Sequence, residues 1–324
     1  MAQRGSRFIV TGGAGFVGSH VVDRLLADGA EKVTVIDNLG TGFRQLVPTA
    51  DRRVTFVEGD LLDQALLDRT LAGHDFVFHF AANADIKEGL THPRRDVEQN
   101  VLATQNVLEA MRANGISKIG FSSTGSAYGE CEVLPTPENA PMPVQTSLYG
   151  ASKIAAEGLL TAYSFGYQFK AWIFRFVSLL GPRYSHGHVI DFYKKLRADK
   201  TRLAILGDGN QQKSYLHVLD CVNAIMTAVD KQPEGEPIGI YNLGHEEWIA
   251  VKDSVALICR TLGVTPKLEY GGGTRGWVGD SPKILLDTKR IRALGWAPTK
   301  TIEASIVETL RGFEALPFLL REET

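Results

Sequence analysis

The chain has 324 residues, of which 44% are hydrophobic, and a formal net charge of −2. This length allows one large or two modest domains, and the balanced charge argues against a general affinity for nucleic acid or anionic membranes. The three cysteines lack metal-ligand spacing, and the first residues include no apolar segment of signal-peptide or membrane-spanning length, so we expect reduced thiols, no metal and a soluble, cytoplasmic protein.

The first half of the chain alternates short β-branched or aromatic runs with helical stretches. Six strands are predicted, at Arg7–Thr11, Lys32–Asp37, Val54–Glu58, Asp75–Phe80, Lys118–Ser123 and Ala171–Phe176. Helices are predicted from the first glycine turn to about Asp28, from about Arg94 to Asn114, and from Leu148 to about Phe165. Strands that are apolar on both faces and separated by helices indicate an α/β fold, a doubly wound parallel sheet with helices on both sides.

This alternation ends after Gly181, where glycine-rich turns and loops take over. We interpret the C-terminal part as a smaller substrate-binding domain. The chain is expected to return to the sheet near Tyr215–Asp230 and add an edge element there. Residues 1–178 with about 215–244 would form the first domain, and 179–214 with 245–324 the second.

A glycine-rich turn lies between the first predicted strand and the helix that follows it, in Thr11–Gly18. Gly12 suits the tight turn, Gly15 lets the backbone approach a pyrophosphate, and Gly18 lets the helix pack close to the strand. Asp37 ends the next strand, where a carboxylate binds adenosine ribose hydroxyls and repels a 2′-phosphate. The pattern predicts a Rossmann-type site for NAD.

Tyr149 and Lys153 are four residues apart on a predicted helix and therefore share one face. A neighbouring ammonium and an oxidised nicotinamide would lower the pKa of the phenol from about 10, which would make Tyr149 a usable base. The same spacing also occurs in surface residues without chemistry. Here, however, Ser122–Thr124 ends the fifth predicted strand, at the sheet edge where ligands bind.

These motifs together resemble the extended short-chain dehydrogenase/reductases, in particular the NAD-dependent nucleotide-sugar epimerases and dehydratases of the UDP-glucose 4-epimerase type. The resemblance covers almost the whole chain and includes the Gly-x-x-Gly-x-x-Gly spacing, Gly59-Asp60-Leu61, His79–Ala82 and Ser122–Gly129. It implies an NAD-dependent enzyme whose substrate is a nucleotide-linked sugar.

The resemblance also implies a role for individual residues. The catalytic residues would be Thr124, Tyr149 and Lys153. The cofactor would be bound by Gly12, Gly15, Phe16, Val17, Gly18, Asp37, Asn38, Leu39, Gly42, Asp60, Leu61, Phe80, Ala81, Ala82, Asn100, Ser122, Tyr149 and Lys153. The substrate would be bound by Thr124, Ser178, His188, Lys213, Tyr215, Arg275 and Asp280.

Two substrate positions depart from the family pattern. Ser178 stands where the family usually has Asn, and Lys213 stands where it usually has Arg, which would give a point-charge contact with phosphate in place of a bidentate one.

Asn100 also has a plainer interpretation, a helix amide bonded to backbone. The pair His186 and His188 has no third ligand nearby in sequence, so a hydrogen bond to substrate is a better interpretation than a metal site.

In the reaction that the resemblance implies, Tyr149 takes a proton from a sugar hydroxyl and a 4-keto sugar results. Dehydratases of the family have acidic residues directly after the strand-five Thr, where this chain has Gly125 and Ser126. This favours C4 epimerisation of a UDP-sugar with NAD retained. The alternatives are a dehydratase or decarboxylase that uses Asp85 or Glu88, a 4-keto-sugar reductase, and a non-catalytic NAD sensor.

The predicted helices Arg94–Asn114 and Leu148–Phe165 resemble those that pair in family dimers, and we expect a homodimer. The sugar and the nucleotide base are left open, because one substituent separates the candidate sugars and pocket shape decides among them.

Overall fold

A parallel sheet forms the centre of the computed structural model, which describes residues 5–83, 88–141, 144–276, 281 and 283–320. The strands are β1 Arg7–Thr11, β2 Lys32–Asp37, β3 Val54–Glu58, β4 Phe76–His79, β5 Lys118–Thr124, β6 Lys170–Phe176, β7 Ser178–Leu180, β8 Arg202–Ile205, β9 Gln212–Lys213, β10 Tyr215–His217, β11 Ile238–Leu243, β12 Ile249–Ala250, β13 Lys267–Tyr270 and β14 Lys283–Ile284. The central sheet has seven strands in the order β11-β6-β5-β4-β1-β2-β3, and each neighbouring pair is parallel. The carboxyl ends of these strands therefore meet at one edge, which is where open α/β sheets bind ligands.

Helices cover both faces of the central sheet. They are α1 Phe16–Ala27, α2 Gln64–Leu71, α3 Pro93–Asp96, α4 Ala103–Ala113, α5 Leu148–Tyr167, α6 His188–Ala198, α7 Val218–Lys231, α8 Val251–Leu262, α9 Lys289–Ala293 and α10 Ile302–Ala315, with short 3-10 turns at Arg44–Leu46, Glu88–Leu90, Gly125–Tyr128 and Pro317–Leu320. Helices α1 and α7 pack on one face, and α2, α4 and α5 on the other.

Alternate residues of β1 show how the sheet divides the core. Phe8 and Val10 belong to the cluster on the α1 side, and Ile9 belongs to the cluster on the α5 side. All three are at most 1% exposed. Because side chains alternate across a strand, this apolar strand is buried on both faces, as the sequence predicts for a doubly wound sheet.

Two predicted elements differ from the structure. The predicted helix Arg94–Asn114 contains a π-helical turn at Val97–Leu102, between α3 and α4. The predicted edge element at Tyr215–Asp230 is instead β10 and most of α7, and the edge strand itself is β11, which pairs with β6. The other predicted strands and helices are confirmed within two residues of their ends. Among the described residues, no helix is both long enough and apolar enough to cross a bilayer.

Candidate active site

The glycine turn joins β1 to α1 beneath the sheet edge. Gly12 has a φ of +68° and donates its N–H to the Ile36 carbonyl oxygen at 2.8 Å, and a Cβ there would be 2.6 Å from the Ala81 nitrogen. A Cβ on Gly18 would overlap the Gly12 carbonyl oxygen. Around Gly15, by contrast, the one neighbouring atom within 4 Å of a Cβ is that same oxygen, at 3.2 Å. The turn is therefore closed toward the protein and open above Gly15, which fits a pyrophosphate at the start of α1.

Asp37 lies at the end of β2, beside this turn, and is 8% exposed. Its carboxylate accepts hydrogen bonds from the Ala14 N–H at 3.0 Å and from the Leu39 N–H at 2.8 Å. Burial raises the pKa of Asp37, and the two N–H donors lower it. A Cβ on Gly42 would be 2.8 Å from the same carboxylate. The acid is thus held by backbone, with lone pairs left for ribose hydroxyls, so these residues fit NAD.

Asp60 is the centre of a second polar group at this edge. It accepts hydrogen bonds from the Asn38 amide at 3.0 Å, from the Leu62 N–H at 2.9 Å and from the Gln99 amide at 3.2 Å. Gln99 was not predicted from sequence. These bonds hold the loop after β3 beside the loop after β2, where the adenosine end of a dinucleotide would lie.

A buried histidine supports the backbone opposite the glycine turn. His79 Nδ1 is 2.7 Å from the Thr11 hydroxyl and His79 Nε2 is 3.0 Å from the Thr104 hydroxyl, while the Ala81 N–H donates to Thr11 at 3.3 Å. Burial lowers the pKa of His79 to about 3, so the ring is neutral. The segment Phe80–Ala82 is thereby tied to β1, next to Gly12.

The three predicted catalytic residues meet at the carboxyl edge of the sheet. Thr124 ends β5, and α5 carries both Tyr149 in its first turn and Lys153 one turn later. A hydrogen bond joins Thr124 and Tyr149. Lys153 is 2% exposed, and its ammonium donates to the Ser122 carbonyl oxygen at 2.8 Å. Helix α5 begins here because the Ser147 side chain accepts from the Gly150 N–H, as an N-cap does.

The pKa of Tyr149 is raised in the structure, whereas the sequence analysis predicts that it is lowered. Desolvation raises it to about 12, and the hydrogen bond with Thr124 works in the opposite direction. Burial lowers the pKa of Lys153 to about 7, although Glu157 and Asp96 raise it. The reason for the difference is that Tyr149 loses hydration in the cleft, which penalises the phenolate. The predicted lowering would need a positive charge near the phenol that outweighs this desolvation.

Asn100 connects the π-helical turn to the catalytic helix. Its amide donates to the Ser152 hydroxyl at 2.9 Å, and its carbonyl oxygen accepts from the Asn83 N–H at 2.8 Å. The buried Asp96 accepts from the Asn83 amide at 2.9 Å. Asn100 therefore bonds both to a side chain of α5 and to the loop after β4. The π-helical turn fits a functional position, because such turns are frequent at functional sites.

The predicted substrate residues fall into two groups. In the first, Tyr215 pairs with Ser178 across β10 and β7, and the Tyr215 hydroxyl is 3.3 Å from His188 Nδ1. His188 Nε2 is 2.9 Å from the Ser254 hydroxyl. Burial lowers the pKa of His188 to about 4, so this ring is neutral.

In the second group, residues of the C-terminal segment bond to the loop that follows β5. Lys213 donates to the Ser281 carbonyl oxygen, and the Ser281 hydroxyl donates to the Gly129 carbonyl oxygen at 3.4 Å. Arg275 forms an ion pair with Glu130, in which Nη2 lies 2.8 Å from Oε2. Asp280 and Asp85, as well as the Glu88 side chain, lie outside the described residues.

Sequence reasoning missed three acidic residues around the site. Glu157 has a clear signal, because it follows Lys153 by four residues on the same helix face. Asp96 has a similar one, since it precedes Asn100 by four residues. Glu130 has none, because its partner Arg275 lies 145 positions away.

The comparisons with known proteins identify the family of this chain. The family described as "NAD dependent epimerase/dehydratase family" matches residues 8–244. The UDP-glucose 4-epimerase of Corynebacterium glutamicum is 32% identical over 323 residues, which cover 95% of each chain.

Solved structures of two activities are similar to this chain. A UDP-galactose 4-epimerase superposes with a TM-score of 0.85 and 34% identity, over 95% of this chain and 99% of the other. A dTDP-glucose 4,6-dehydratase from Streptomyces venezuelae with NAD bound superposes with a TM-score of 0.88 and 28% identity, over 97% of this chain and 100% of the other. With its family match, its relatives and its fold in agreement, this chain belongs to the NAD-dependent epimerase/dehydratase family.

Proposed function

We propose that this protein is an NAD-dependent epimerase that inverts C4 of a UDP-linked sugar through a 4-keto intermediate. The observation that carries the proposal is the meeting of Thr124, Tyr149 and Lys153 at the sheet edge, together with Gly125 and Ser126 directly after Thr124. Neither of those two residues has a carboxyl group for the elimination of water. Relatives named UDP-glucose 4-epimerase support this choice.

Each catalytic residue has a task that follows from its position. Thr124 holds the reacting hydroxyl near Tyr149, and the Tyr149 oxygen accepts its proton and later returns it. Lys153, when it is protonated, would supply a positive charge one helical turn from the phenol, and this charge would favour the phenolate. The glycine turn and Asp37 would hold NAD, which would supply a reversible hydride acceptor for the sugar carbon.

The substrate-side residues would hold the nucleotide. Arg275 is suited to the diphosphate because its planar fork pairs with phosphate oxygens, and Lys213 adds a point charge. Tyr215, His188 and Ser178 would border the sugar or base. We also propose the domain division given above, in which residues 1–178 with about 215–244 bind the cofactor.

The proposal also includes a homodimer formed through the helices that follow β4 and precede β6. Their outer faces carry apolar side chains that are exposed in the single chain: Val97 is 50% exposed, Leu148 42% and Phe165 80%. Exposed apolar side chains mark an interaction surface where they form a contiguous patch, and a partner helix could cover these three together. Sedimentation of the wild type and of Phe165→Glu tests this, with a shift from two chains to one expected in the variant.

The function is tested by incubating the purified protein, without added NAD, with UDP-hexoses, UDP-N-acetylhexosamines and UDP-hexuronic acids. Proton NMR and mass spectrometry should show a C4 epimer of unchanged mass from one of them. Loss of water or carbon dioxide would overturn the proposal in favour of a dehydratase or decarboxylase. Turnover only with added NADH or NADPH would identify a reductase, and NAD binding without any turnover would identify a sensor.

A further inference from the structure

A buried ion pair lies one helical turn beyond Lys153. Glu157 and Arg175 form two hydrogen bonds, with Arg175 Nε to Oε1 at 3.0 Å and Nη2 to Oε2 at 2.6 Å. Their side chains are 7% and 9% exposed, respectively. The Ser123 hydroxyl donates to the same carboxylate. One carboxylate thus connects helix α5 to both β5 and β6, in a place where an unpaired charge would be strongly unfavourable.

The two charged side chains of α5 hold adjacent residues of β5. Lys153 donates to the Ser122 carbonyl oxygen at 2.8 Å, and Glu157 accepts from the Ser123 hydroxyl. Ser123 also stands opposite Arg175 in the β5–β6 pairing. Because Thr124 is the next residue of the strand, these contacts fix the distance between the strand that carries Thr124 and the helix that carries Tyr149.

The Arg175 end of the pair is braced in turn. Arg175 Nη1 donates to the Tyr128 hydroxyl at 2.8 Å, and Tyr128 donates to the Asn242 side chain at 2.8 Å. Asn242 is fully buried and donates to the Asp287 carbonyl oxygen at 3.1 Å. The carboxylate of Glu157 therefore has little freedom to turn away from α5.

The charges around Lys153 come from several elements. Glu157 and Tyr149 lie on its own helix, Asp96 on α3, the neutral His79 on β4, and Arg175 lies behind Glu157 on β6. Burial favours the neutral amine of Lys153, while Glu157, the larger of the two acidic influences, favours the ammonium.

We propose that Glu157 is a positioning residue for the reaction: braced by Arg175 and Ser123, it fixes α5 against β5 and places a negative charge one helical turn from the Lys153 ammonium, which lies against Ser122. The inference rests on the proposed function, because Lys153 and Tyr149 act together in that proposed reaction. It predicts that removal of the carboxylate changes the pH at which Lys153 loses its proton, and not only the stability of the fold.

The decisive variant is Glu157→Gln, which retains size and hydrogen-bonding atoms but loses the charge. NMR of protein containing lysine labelled at Cε, with Lys153→Met to assign the signal, follows the titration directly. We expect the Lys153 midpoint to fall by about one pH unit or more, and the alkaline limb of kcat to move with it, so that kcat falls about tenfold at a pH on that limb while KM changes little. Glu157→Asp keeps the charge and should restore part of the shift.

Glu109→Gln is the matched control. Glu109 lies on α4 and pairs with Arg112 at 2.7 Å. It also accepts a hydrogen bond from the Tyr163 hydroxyl of α5, but Tyr163 is ten residues beyond Lys153, toward the C-terminal end of that helix. Its removal should leave the Lys153 midpoint unchanged. If Glu157→Gln does not fold, the double replacement Glu157→Met with Arg175→Met removes both charges, a change that buried pairs often tolerate, and the midpoint should still fall.

An unchanged Lys153 midpoint in the folded variants, even with a lower Tm, would overturn the proposal and leave Glu157 a structural residue. The NMR titration needs no turnover. If the wild type converts no nucleotide sugar, the proposed function fails while the role of Glu157 toward Lys153 is still decided.

Discussion

On the cofactor side of the site, hydrogen bonds join groups at the ends of neighbouring parallel strands, whereas on the substrate side they join helices, short strands and loops outside the central sheet. Gly12, Asp37 and His79 are held by backbone or by neighbouring strands. Arg275 and Glu130 are 44% and 41% exposed. A change on the first side should therefore disturb folding or chemistry, and a change at the exposed Arg275 should disturb substrate affinity alone.

The largest effect is expected from Tyr149→Phe, which removes the proton acceptor and little else. The kcat for the sugar found in the substrate panel should fall by about a thousandfold, within the range for loss of a general acid–base group. NAD released on denaturation should match the wild type, because the glycine turn is untouched. A variant that retains most of its turnover would show that Tyr149 is not the base.

A packing change comes next, in Gly18→Ala. The added Cβ would overlap the Gly12 carbonyl oxygen, and overpacking of this kind costs about 3 kcal/mol at its upper range. Urea unfolding and NAD retention should both be impaired. The control is Gly235→Ala, where a Cβ meets nothing within 4 Å and the free energy of unfolding should stay within about 0.5 kcal/mol. Equal stability of the two variants would contradict the close approach at the turn.

A fall in pH should lower the free energy of unfolding through the buried His79 on the cofactor side. The pKa of His79 is lowered to about 3 by burial, so the unfolded chain, with a pKa near 6.5, takes up a proton first as the pH falls. Stability from this residue is present above about pH 6.5 and is lost toward pH 3, by roughly 2 kcal/mol at pH 5. Urea unfolding at pH 7.5 and pH 5 should show a smaller difference for His79→Asn than for the wild type. The exposed His186→Asn should show the wild-type difference.

The smallest effect on stability is expected on the substrate side. Arg275→Gln should change the free energy of unfolding by less than about 1 kcal/mol, because exposed ion pairs contribute little. Its KM for the nucleotide sugar should nevertheless rise about tenfold, since a charged donor to the diphosphate is lost. Arg202→Gln removes another exposed pair, to Glu269 at 2.9 Å, and should leave KM unchanged. A wild-type KM in Arg275→Gln would remove this residue from the site.

The contrast between the two sides also explains what could be predicted from sequence. The glycine turn, Asp37 and the pair Tyr149 and Lys153 follow from short spacings, because a strand end or one helical turn fixes their geometry. The contact of Arg275 with Glu130 depends on the folded path of 145 positions and leaves no local pattern. The π-helical turn at Val97–Leu102 was missed for a related reason: its residues have ordinary helical periodicity.

The edge strand β11 has a consequence for how the protein folds during synthesis. Strand β11 completes the sheet beside β6 only after the chain has passed through residues 177–237. Until then β6 would be an open edge with apolar residues such as Ile173 and Phe174 on its two faces, the kind of edge that pairs with other chains. Aggregation of the nascent chain should therefore be greatest before β11 has been synthesised. A chain that ends before Ile238 should self-associate through the unpaired edge of β6.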